Sequence, residues 1–107
     1  MHRLPPALAA AATPQILELL GDGPGRVLEL GFAGIHAYPL ELSGWTVEVA
    51  ESDPAQAARA RERGAQVVRR ADGRFDAVIA QSGTDLTGID AARILVVAPD
   101  GSVTESR

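Results

Sequence analysis

The turn Gly31-Phe32-Ala33-Gly34 follows directly on the apolar run Val27-Leu28-Glu29-Leu30, and Glu51 closes a second β-forming run twenty residues beyond Gly31. Gly31 lacks a Cβ, so the backbone there can turn sharply and approach a ligand closely. An acid about twenty residues past such a turn is placed to accept hydrogen bonds from the two hydroxyls of a ribose. The chemistry these residues indicate is recognition of an adenosine-containing ligand.

Other chemistries find less support. With no cysteine there is no disulfide framework, Cys-based zinc site or thiol nucleophile. His2 and His36 have no metal-ligand spacing around them, which points to surface or packing roles. Ser82 lacks a His and an acid to complete a hydrolase triad. Asp85 and Asp90 fall in a loop setting that suits caps or turns. Arg59, Arg61, Arg63, Arg69, Arg70 and Arg74 form a basic cluster that could suit nucleic acid or phosphate. In a chain of net charge -4, with Glu62 interspersed, a solvated helix face is the better reading, and nucleic acid is not the expected partner.

The elements that must position these residues follow from composition and pattern. A chain of 107 residues, 46% hydrophobic and 22% charged, describes one domain over 1–107, with residues 1–12 as an N-terminal extension and 102–107 as a tail or partial extra strand. Aromatics make up only 4%, so the core must be filled by aliphatic side chains and alanine. The Ala-rich start is interrupted by Pro5, Pro6 and Pro14 and falls short of the ~20 apolar residues that span a membrane. It also lacks a signal-peptide pattern, and a reducing cytoplasm is the expected location.

Residues 13–20 predict a helix with Thr13 as cap and Pro14 in its first turn, and residues 35–43 a second helix that tolerates Pro39 only in its first turn. Asp53-Pro54 opens a third helix that stops at Gly64. Residues 26–30, 45–50, 66–69, 75–80 and 93–98 predict strands. Strands that alternate with helices and are nearly continuous in apolar character indicate an α/β domain, a minimal Rossmann-like three-layer fold with a mostly parallel five-stranded sheet of order 3-2-1-4-5. The span between Val68 and Phe75 is too short for a helix, so the third strand must be very short or its connection extended.

With these elements in place, the sequence resembles the class I S-adenosylmethionine-dependent methyltransferases. The resemblance rests on Leu28-Glu29-Leu30-Gly31, on Glu51 ending the second strand, and on Phe75-Asp76-Ala77-Val78-Ile79 as the fourth, and it covers roughly residues 13–98. It implies S-adenosylmethionine as cofactor, with Glu29, Gly31, Ala33 and Gly34 forming the turn and the Glu29 carboxylate accepting from the ligand's amino group. It further implies Glu51 on the ribose and Asp72, after the third strand, on the adenine. Ala33 replaces the family's second glycine. A full member continues past the fifth strand with a helix and an antiparallel pair, where much of the substrate pocket lies, and this sequence ends at Arg107. A small family of truncated methyltransferase-like proteins matches the length better.

Two other readings remain open. Gly31-Phe32-Ala33-Gly34 can serve a nicotinamide-nucleotide-binding regulatory domain, although Glu29 facing a pyrophosphate would repel it. Alternatively the chain is a non-catalytic oligomerising or interaction module on a degenerate Rossmann scaffold. The apolar strand 93–98, as a sheet edge, predicts a homodimer or a partner protein docked along it, unless the tail folds back through Val103 to cover it.

Overall fold

The computed structural model describes residues 5–106. Two short helices, α1 (Pro6–Ala11) and α2 (Thr13–Leu20), precede strand β1 (Arg26–Leu30). Then come α3 (Ala37–Leu42), β2 (Thr46–Ala50), α4 (Pro54–Glu62), β3 (Gln66–Val68), β4 (Arg74–Gln81), β5 (Asp90–Val97) and β6 (Val103–Glu105). Local signals account for most boundaries. Pro14 sits in the first turn of α2, and Asp53 caps α4 by accepting from the Ala55 amide at 3.3 Å. Thr13 departs from its expected role. Ala12 holds the N-cap position, and the Thr13 hydroxyl instead meets His36 Nδ1 at 2.7 Å.

The strands form one sheet of order β3-β2-β1-β4-β5-β6, parallel except for β6. This is the expected α/β order with one strand added. The register sets Leu30 beside Ala50 and Ala80, and Ala50 beside Val68. The carboxyl ends of β1, β2, β3 and β4 are therefore level.

The helices lie on one face of the sheet. Val27, Val47, Val49, Ile79 and Leu95 point toward that face and pack with Ala9 of α1, Ile16 of α2, Leu40 of α3 and Ala60 of α4. On the opposite face Leu28, Val78, Ala80 and Ile94 are covered by Ala71, Leu86 and Ile89 from the connections between strands. The expected three layers are thus reduced, with helices on one side only. The strand order reverses after β3, so right-handed crossovers carry the later connections over the second face. Segments 69–73 and 82–89 contain no helix, so they cross it as irregular chain.

Expectations for the two ends of the chain also change. The N-terminal extension contains α1, whose Ala9 is in the core. The tail contains β6, which pairs antiparallel with β5 and buries Val103. The edge of strand 93–98 is therefore already occupied, and a partner adding along it would have to displace β6.

Arg26 holds the opposite, amino edge together. Its guanidinium donates to Glu48 Oε2 of β2 at 2.7 and 2.9 Å, to the Arg74 carbonyl at 3.0 Å and to the Asp72 carbonyl at 3.2 Å. Its Cζ lies 4.3 Å from the centroid of the Phe75 ring. One side chain thus pins the short β3–β4 connection to β1 and β2, as a planar five-donor group can. Replacement by methionine should cost about 2 kcal/mol, because Glu48 is left nearly buried without its partner. Lysine should recover only part of this, having no fork to share among three acceptors. Urea unfolding midpoints of Arg26→Met and Arg26→Lys test this, and a lysine variant equal to wild type would contradict it.

Candidate functional site

Because the strand ends are level, the residues that follow them form a row: Arg69 after β3, Glu51 after β2, Gly31 after β1, and Gln81 at the end of β4. Gly31 and Glu51 are thus side by side at the carboxyl edge, with Gly31 at the point between β1 and β4 where the strand order reverses. This is the ligand-binding position of open α/β sheets. Gly31 has φ +90°, and a Cβ added there would meet nothing closer than Gln81 Oε1 at 3.9 Å, so space opens above the turn. Glu51 is half-buried, and its Oε2 accepts from the Asp53 amide at 3.2 Å, which orients the carboxylate at the head of α4.

Other residues assigned to the ligand serve the turn. Glu29 is wholly buried, and its oxygens accept from the amides of Gly34 at 2.7 Å and His36 at 3.2 Å. The expected contact with a ligand's amino group is therefore corrected: β1 alternation points Glu29 to the helical face, beneath the turn. Gly34, at φ +80°, is held against α4, where a Cβ would lie 3.1 Å from Ala60 Cα, so this glycine serves packing. Ala33 adopts φ +51°, and its carbonyl accepts from Arg63 Nη1 at 2.7 Å. Asp72 lies at the amino edge with its carbonyl on Arg26, at the opposite end of the sheet from Gly31 and Glu51. The expectation that Asp72 adjoins Glu51 and the Gly31 turn is therefore corrected, because the connection has already returned to the amino edge at this residue.

Two cavities border the row. One, of about 300 Å³, lies between the turn, α4 and the start of α1, with Phe32, Ala33, Arg59 and Arg63 in its lining. The other, of about 450 Å³, lies beside Glu51 and is bounded by Ser52, Pro54, Arg61, Val67, Val68 and Arg69. The basic cluster is consequently divided, with Arg59 and Arg63 at one cavity, Arg61 and Arg69 at the other, and Arg74 at the amino edge. Gln81 stands at the end of β4, where the resembled family often places catalytic residues, whereas sequence offers no role for Ser52 or Val67, and only the register from β1 to β3 brings Val67 to the cavity beside Glu51. His2 lies outside the described residues. Asp85 accepts from the Thr87 amide at 2.9 Å, as expected of a turn residue. Among the described residues no group of three or more His, Asp or Glu side chains could hold a metal ion, and no helix is long and apolar enough to cross a membrane.

Burial gives the core beneath the turn an unusual titration. It pushes the Glu29 carboxyl up to about 7, against the opposing pull of its amide donors and Arg63. It pushes His36 down to about 4, and that ring packs edge-on to Phe32 with centroids 4.9 Å apart. The folded chain keeps a Glu29 proton that the unfolded chain releases above about 4.5, so this contribution is complete at lower pH and is lost as pH rises toward about 7. His36 acts in reverse, since the unfolded chain takes up a proton below about 6.5 and stability falls as pH drops toward about 4. The two slopes oppose each other in the shared interval. Denaturation midpoints measured from pH 4.5 to 6.5 should be nearly level for the wild type and should fall on acidification for Glu29→Gln, which keeps only the His36 slope. A variant as level as the wild type would exclude Glu29 as the titrating group.

Neither a protein-family model nor a curated protein matches the chain. Solved structures do. The crystal structure of the glycopeptide N-methyltransferase MtfA aligns with a TM-score of 0.60 and 20% identity, over 82% of this chain and 52% of that one. Its complex with (S)-adenosyl-L-methionine aligns with a TM-score of 0.61 and 20% identity, over 82% and 53%. The chain spans about half the length of these neighbours. At this identity the likeness concerns the fold, and the fold it shows is the Rossmann-like, methyltransferase-like one.

Proposed function

We propose that the carboxyl edge of β1 and β2 binds S-adenosylmethionine or its product S-adenosylhomocysteine through the adenosine half. The observation that carries this reading is the pairing of the open Gly31 turn with Glu51 on the adjacent strand. The Glu51 carboxylate, oriented by the Asp53 amide, accepts from the ribose hydroxyls, and the cavity bounded by Val67, Val68 and Arg69 receives the base in place of Asp72. A likeness in fold to a methyltransferase solved with this cofactor supports the reading.

When bound, the cofactor would supply an activated methyl group: an acceptor's lone pair would bond to the methyl carbon as the C–S bond breaks, its electrons passing to the sulfur of the departing S-adenosylhomocysteine. The chain's contribution to such a transfer is alignment, and Gln81 at the end of β4, beside the turn, is the polar side chain placed to orient an acceptor.

A nicotinamide-nucleotide reading gains from one specific observation. Its main objection was repulsion between Glu29 and a pyrophosphate, and Glu29 faces its own turn from a buried position.

Calorimetric titration with S-adenosylhomocysteine, NAD and ATP separates these readings. S-adenosylhomocysteine should bind the wild type, Glu51→Ala should weaken it by about tenfold or more, and Asp72→Ala should leave it unchanged. Preference for NAD would favour the second reading. Absence of binding by all three would leave the degenerate scaffold.

A further inference from the structure

Among the described residues, the cavity between the turn and α4 has two guanidinium groups in its lining and no carboxylate. Gln56, Arg59 and Arg63 recur at helical spacing from Gln56, so α4 and its C-cap present all three to one side, opposite Ala33. Arg63 spends one donor on the Ala33 carbonyl, at 2.7 Å. Among the described residues Arg59 has no hydrogen-bond or ion-pair partner. Beneath the turn lies Glu29, whose oxygens are committed to the Gly34 and His36 amides within the core. Arg63 is within electrostatic reach of the buried Glu29, while Arg59, at the same concave site, has no ion-pair partner among the described residues. Arginine forks match the geometry of carboxylate and phosphate oxygens. Phe32, Pro5 and Pro6 supply apolar walls that strengthen such contacts by limiting solvent.

We infer that this cavity is an oxyanion subsite in which Arg59 and Arg63 bind the carboxylate or phosphate group of a small molecule. The inference does not rest on the adenosyl reading, although Gly31 borders the same cavity and would let the tail of a ligand held at Glu51 enter it. Two sources of the anion share this chemistry: the carboxylate of the adenosyl ligand itself, and a phosphate-bearing molecule bound separately.

Arg59→Gln is the variant of choice, because Arg63 also supports the turn. It should unfold at the wild-type urea midpoint, Arg59 being exposed and unpartnered among the described residues. Inorganic pyrophosphate, S-adenosylhomocysteine and 5′-methylthioadenosine, which lacks the amino-acid tail, are each titrated into both proteins. A loss of about tenfold or more for S-adenosylhomocysteine with methylthioadenosine unchanged supports the subsite and assigns it to the ligand's own carboxylate. The same loss for pyrophosphate with S-adenosylhomocysteine unchanged supports it as a separate phosphate site. Pyrophosphate binding that depends on Arg59, with neither adenosyl compound binding, would sustain the subsite while rejecting the adenosyl reading. Affinities independent of Arg59 for both pyrophosphate and S-adenosylhomocysteine overturn the inference.

Discussion

Glu29 lies beneath the turn that follows β1, its oxygens holding the amides of Gly34 and His36, and the geometry of the carboxyl edge depends on that pair of bonds. Buried backbone donors need acceptors, and those at the entry to α3 would otherwise have none within the turn. By meeting them, the carboxylate fixes the path of residues 31–36. This in turn sets Ala33 at φ +51°, directs its carbonyl to Arg63, and seats Gly34 against Ala60 of α4. The open space above Gly31 and the cavity beside it are consequences of a group buried beneath the turn. A buried carboxylate is costly, and the amide hydrogen bonds and the nearby Arg63 charge offset only part of that cost, leaving the carboxyl raised to about 7.

The second constraint is the shortness of the later connections. Segments 69–73 and 82–89 leave no room for helices on the second face of the sheet. That face is sealed by Ala71, Leu86 and Ile89 from irregular chain. The first of these segments is held by carbonyl contacts to Arg26 at the amino edge, an arrangement that takes the place of helix packing. The carboxyl edge with its turn and the amino edge held by Arg26 are therefore separate. Glu29 organises the first and Arg26 the second, and β1, which carries both, joins them through the sheet.

Much of the fold was legible because its signals are local. Alternation and apolar runs marked the strands from β1 to β5, and Asp53-Pro54 marked the start of α4. The strand order followed from handedness. The second-face layer was not legible in the same way, since the expectation of three layers came from the fold class and the lengths of two connections overrode it. The placement of the candidate residues was half legible. Gly31 and Glu51 are where their spacing placed them, because adjacent parallel strands carry their ends to one edge. Asp72 was assigned by its position after β3, but the connection had already turned back to the amino edge by that residue.

What the sequence by itself determined was the strands β1 to β5, their order, and the meeting of the Gly31 turn with Glu51, all of which depend on periodicity and chirality within short spans. Only the tertiary structure decided which way side chains point at the strand ends and which distant segments cover them. It turned Glu29 inward to amides of its own turn, divided the arginines between two cavities, and laid β6 along β5. The physical reason is that a buried charge, a guanidinium or a sheet edge takes the partner that packing brings within reach, and that partner is set by the whole chain.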